Sequence, residues 1–142
     1  MFSQTITALA LASFFAAAAA SVNGSGTVTF GTSVEHISVN VSGSSGHATF
    51  EDRAAGGNVN GQIAINCVNI AGNTATLSGL VAHSNKKSMV GQEGVFQIVD
   101  NGGKKGASDM ATLINFHQPG TSTDCHGGEF DLSPVKGNFT IR

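Results

Sequence analysis

Residues 61–82, GQIAINCVNIAGNTATLSGLVA, decide the fold. Two alternating runs flank the short turn Ala71-Gly72-Asn73, and a period of two is the mark of a half-buried strand. In the first run Ile63, Ile65 and Cys67 share one face, with Gln62, Ala64 and Asn66 on the other. In the second run Ala75, Leu77, Gly79 and Val81 are apolar or small, against Thr74, Thr76, Ser78 and Leu80. The pattern predicts a β-hairpin whose inner face carries Cys67 into a core.

Upstream, the same alternation predicts strands over residues 25–30, with Val28 and Phe30 inward, and over 34–41, with Ile37, Val39 and Val41 inward and His36, Ser38 and Asn40 outward. A third follows over 47–52, with Ala48 and Phe50 inward, and then a loop at 53–57. Downstream come residues 94–100, with Phe96 and Ile98 inward, and the turn Asp100-Asn101-Gly102-Gly103. Residues 111–116 read as a strand with Ile114 and Phe116 inward, although 109–113 would also suit a short helical turn. Residues 129–132 and 135–141 complete the set, with Phe130, Leu132, Phe139 and Ile141 inward. Eight to nine short strands at roughly ten-residue spacing predict an all-β domain, either an antiparallel sandwich or a meander barrel.

Residues 1–20 read as a secretory signal helix: an apolar stretch too short to span a bilayer, ending in small residues at Ala20. Its first residues carry no Lys or Arg, so only the α-amino group supplies positive charge. The mature chain is then a single domain over 21–142, with no second stretch long enough to cross a membrane. Export gives the only two cysteines a use. A Cys67–Cys125 bridge would close a loop of nearly sixty residues, for which chain entropy gives about 4 kcal/mol. Cys125-His126 with His117 and Asp124 is the competing metal reading, but the paired spacings of zinc ligands are absent, and no metal or cofactor is expected. Three N-x-S/T sequons, at Asn23, Asn40 and Asn138, are candidate glycosylation sites.

With charged residues at 11% and a formal net charge of -2, the chain lacks the electrostatic footprint of a nucleic-acid binder. The absence of Trp and Tyr removes the usual platforms for stacking sugars or bases. Asp100, Asn101 and Asp109 offer hard oxygen ligands for Ca²⁺, yet Lys104 and Lys105 lie in the same loop and EF-hand spacing is missing. His47 with Glu51 and Asp52 would make an acid/base group only inside a cleft; solvated strand faces are the simpler reading. Lys86-Lys87 and Lys104-Lys105 read as solvated loop charges. No G-x-S-x-G, H-E-x-x-H or catalytic Cys-His pattern occurs.

Four stretches carry a likeness: Gly46-His47-Ala48-Thr49-Phe50, the strand from Gly61 to Cys67, residues 72–79, and residues 95–102. They resemble small secreted β-domain proteins of actinobacteria and fungi that have no settled function. The resemblance implies one secreted β-domain and carries over no catalytic residue.

The expected function is that of a secreted, non-enzymatic interaction protein, such as a fungal effector in the host apoplast or a cell-wall-associated protein. Its partner would be an extracellular protein or a wall component. A small apolar-ligand carrier with a barrel interior comes second, to be favoured by a hollow core, and a hydrolase or hydrolase inhibitor third.

Overall fold

The alternating runs become nine strands among the described residues: β1 (Ser21–Phe30), β2 (Ser33–Ser42), β3 (Ser45–Ala54), β4 (Gly57–Ala71), β5 (Thr74–Ser84), β6 (Glu93–Val99), β7 (Met110–Ala111), β8 (Asn115–His117) and β9 (Ser133–Ile141). The structure is a computed structural model describing residues 19–54, 57–103, 106–119, 125–126 and 130–142, so the stretch 1–20 expected to be a signal helix, apart from Ala19 and Ala20, lies outside them. β1 to β6 pair antiparallel, each with the next in the chain. β9 returns to β1 from Val22↔Ile141 to Val28↔Val135, and β7 joins β9 to β6. That closes an antiparallel eight-strand barrel, with β8 as an extra strand further along β6. Between the two architectures the sequence allows, the barrel is the one adopted.

Eight strands enclose a space just wide enough for side chains to fill. Here Phe96, Phe139, Ile37, Ile63, Leu77 and Ile98 are each less than 2% exposed and occupy it, each on the predicted inward phase. The Phe50 and Phe116 rings, 4.9 Å between centroids and inclined by 52°, continue this packing where β8 joins β6.

The seam between β6 and β9 is the thinnest part of the wall, because β7 contributes only two residues to it. Two carboxylates reinforce it. Asp109, 4% exposed, accepts from the Asn101 N–H through Oδ1 at 2.9 Å and from the Phe139 N–H through Oδ2 at 2.7 Å. Asp100 accepts from Gly102 N–H at 2.7 Å and Ile141 N–H at 2.9 Å. The carboxylate oxygens of Asp100 and Asp109 considered for Ca²⁺ are thus engaged by backbone donors of β9 and of the turn after β6, while Asn101 Oδ1 accepts from Asn73 Nδ2 at 3.5 Å.

Several expectations are overturned. The β4–β5 register slips between Ile65 and Cys67, so that Ile65 faces Gly79 while Cys67 faces Ser78. The extra residue, Asn66, is a β-bulge, and it moves Cys67 from the inner to the outer face while Val68 and Ile70 take over the inward phase. Phe30 is 51% exposed, because the β1–β9 ladder stops at Val28 and leaves it beyond the wall. Residues 111–116 are not one strand: Met110–Ala111 and Asn115–His117 flank an irregular 112–114 in which Ile114 is buried. Phe130, Asp131 and Leu132 are outside any strand and half-buried or exposed. Phe130 lies with Phe30 and Leu113 along a surface groove instead of in the interior. The loop expected at 53–57 is narrower, with β3 running to Ala54 and β4 starting at Gly57.

Candidate functional site

Outward-facing residues of β2, β3, β4 and β5 assemble a groove of about 500 Å³ lined by His36, Thr49, Glu51, Asn60, Gln62 and His83 among others. Register brings them together: His36 faces Glu51, Glu51 faces Asn60, Thr49 faces Gln62, and Gln62 faces His83. A second slip in β4–β5, between Gln62 and Ile63, lets β5 bulge at Ala82 and re-aims His83 over the groove. Gly61 is required at its edge, since a Cβ there would lie 2.7 Å from Phe50 Cζ.

The rim is held by short hydrogen bonds. Asn85 Oδ1 accepts from the Asn60 N–H at 2.9 Å, and Asn85 Nδ2 donates to the Asn58 carbonyl at 2.9 Å. Ser84 Oγ donates to the Asn60 carbonyl at 2.8 Å. Arg53 Nε donates to Glu51 Oε1 at 2.9 Å, and Thr27 Oγ1 is 3.1 Å from His36 Nδ1. The Ser84 hydroxyl is spent on a backbone carbonyl rather than on a base, and the groove offers imidazoles, amides, hydroxyls and one carboxylate for hydrogen bonding.

A second polar feature lies inside the barrel. Glu35 shares the inward phase of Ile37, Val39 and Val41 and is 2% exposed. Its Oε1 accepts from the Ile114 N–H at 2.8 Å, a contact between residues 79 apart in sequence that secures the irregular 112–114 segment. Asp52 is its register partner on β3, and Asp52 Oδ1 is buried without a hydrogen-bond partner. Burial pushes the Glu35 carboxyl up to about 7; the Ile114 N–H opposes this, and the charge of Asp52 adds to it. The sequence carried a signal for this pair, because Glu35 and Asp52 continue the inward alternation of their strands.

The other candidate residues separate. His47 and Glu51 face outward, four residues apart on β3, while Asp52 takes the opposite phase, so the three form no group. Cys67 and Cys125 form a disulfide with Cα atoms 5.7 Å apart. His126 Nδ1 is 3.8 Å from Cys67 Sγ and 3.7 Å from Cys125 Sγ. These three atoms have the proximity of a metal-ligand set, but sulfurs bonded to each other supply no thiolate. Lys86 and Lys87 are exposed at the 3-10 turn Lys87–Met89, and Lys104 and Lys105 lie outside the described residues. Asn23, Asn40 and Asn138 are exposed on the outer face.

Among the described residues no helix is long and apolar enough to cross a membrane. Comparison of the chain with protein-family models, with curated proteins and with solved structures finds no match.

Proposed function

We propose that the chain is a secreted, non-enzymatic interaction protein that engages an extracellular protein partner through the groove across β2, β3, β4 and β5. One observation carries this reading: the barrel interior is filled by Phe96, Phe139 and their aliphatic neighbours, whereas a polar concavity of about 500 Å³ opens on the outside. Hydrogen-bonding side chains fixed on four paired strands form a pre-organised surface that loses little side-chain freedom when a partner docks. The disulfide supports export into an oxidising compartment. The host apoplast and the cell wall are the two settings in which such a protein would act.

The test uses the oxidised mature protein as bait in apoplastic fluid and in cell-wall material. A double variant, Thr49→Arg with Gln62→Arg, fills the groove while leaving the interior untouched. The expected result is a protein retained by the wild type and reduced at least about tenfold by the variant, the scale of losing roughly 1.4 kcal/mol of contact. Equal retention by both, or retention of wall polymer alone, would remove the reading.

A further inference from the structure

The three sequons, Asn23-Gly24-Ser25, Asn40-Val41-Ser42 and Asn138-Phe139-Thr140, lie at opposite ends of the mature chain, and barrel closure brings them to one place. β1 runs between β2 and β9. Asn23 faces Asn40 on one side and Thr140 on the other, and two residues along β1, Ser25 faces Asn138. All three asparagines are exposed, and the residues ranked beside them, Ser21, Ser38, Ser42 and Thr140, are small and polar. Eight other asparagines occur in the chain, and none has Ser or Thr two positions on.

The backbone gives this face room. Gly24 and Gly137 have φ of +134° and +148°, and a Cβ on either would fall on the carbonyl of the neighbouring strand, Asn138 for the first and Ser25 for the second. Glycine at both positions lets β1 and β9 approach closely beneath this face, and the outside of a closed barrel is convex, so groups leaving it diverge with distance from the wall. Asn23 and Asn40 start side by side as register partners, and Asn138 leaves the face one rank further along β9.

We infer that the convex face of β9, β1 and β2 is a glycan-bearing face, with Asn23, Asn40 and Asn138 as its N-linked acceptors. The donor class is a polyprenyl-diphosphate-linked oligosaccharide. The asparagine amide nitrogen bonds to C1 of the first sugar, the bond from C1 to the diphosphate breaks, the diphosphate leaves with the electron pair, and the amide loses one proton. None of the three asparagines is among the residues that line the groove. The inference rests on the secreted reading of the chain but not on the groove having a partner.

The experiment is secretion of the full chain from a eukaryotic host, followed by intact mass and by enzymatic release of glycans in labelled water, which marks each formerly occupied asparagine as a labelled aspartate. Occupancy at two or all three of Asn23, Asn40 and Asn138 is the expected result, with Ser25→Ala, Ser42→Ala and Thr140→Ala each removing one glycan's mass where the matching asparagine is occupied. A secreted chain of unshifted mass, or one with sugar at a single site, overturns the shared face while leaving export standing. A chain kept inside the cell with Met1 in place overturns both. The mapping is made on the wild type, so a poorly folding variant does not obscure it.

Discussion

Replacing Cys67 and Cys125 together by serine is expected to lower stability by about 4 kcal/mol, the chain-entropy value for a loop of this length. The two cysteines are 58 residues apart, and their bond ties the outer face of β4 to the segment leading into β9. Because the bulge turns Cys67 outward, the bridge staples a covering layer onto the barrel wall and adds nothing to the interior. Thr76 and Ser78 point outward on β5 and are nonetheless 7% and 2% exposed, and Cys125, His126 and Phe130 lie along the groove that contains Thr76. Loss of the bridge should therefore uncover this row while Phe96 and Leu77 stay packed. Guanidinium unfolding gives the magnitude, and limited proteolysis gives the order, with the first cuts expected between residues 117 and 128. Two titratable thiols in the denatured, unreduced wild type would sink the bridge itself.

Glu35→Gln is expected to make the protein more stable at pH 8 and nearly unchanged at pH 4.5. Burial raises the folded-state carboxyl from 4.5 to about 7, so between those values the folded chain holds a proton that the unfolded chain has lost. The stability this contributes is fully present below the unfolded value and is lost as pH rises through the folded one. With roughly 1.4 kcal/mol per unit, the wild type forfeits on the order of 3 kcal/mol across that window. Glutamine keeps an oxygen for the Ile114 N–H, carries no charge, and can offer an N–H to the buried Asp52 Oδ1. The measurement is the difference in unfolding free energy between variant and wild type at several pH values, which cancels the groups they share. A difference that stays flat from pH 4.5 to 8 would show that Glu35 is not held protonated.

Much of the barrel was legible in residue order alone. Ile63, Ile65, Ala75, Leu77 and Val81 are buried on the phase their alternation predicts, as are Ile37, Val39, Ala48 and Phe50. What alternation cannot register is a bulge: nothing about Asn66 marks it as the extra residue, and the slip exists only relative to β5. The outward turn of Cys67 was hidden for that reason, although the pairing with Cys125 followed from counting two cysteines. Glu35 was hidden differently. Its phase was plain, but a lone carboxylate reads as solvated until the Ile114 N–H arrives from 79 residues away to meet it. The groove needed three registers to bring His36 and His83 to one surface, and the sequons needed β9 to return to β1 before they could be neighbours.

The carboxylate-reinforced seam also bears on how the chain finds its fold. β1 through β5 follow one another with only two residues between successive strands, and β5 reaches β6 after eight, so each of those ladders is local in sequence, and hairpins form within about 1–10 μs. The β1–β9 ladder joins Val22 to Ile141 and can begin only after nearly the whole chain has been gathered. Loop-closure entropy for that contact comes before any compensating ladder, which places the ring-closing event in the slow, high-contact-order regime. Asp109 contacts both sides of the closure, through Asn101 next to β6 and Phe139 in β9, and acts as a latch that holds only once the ring has met. Pulsed hydrogen exchange during refolding should accordingly protect the amides of β3, β4 and β5 before those of Phe139 and Ile141; simultaneous protection would mean the ring closes in a single step.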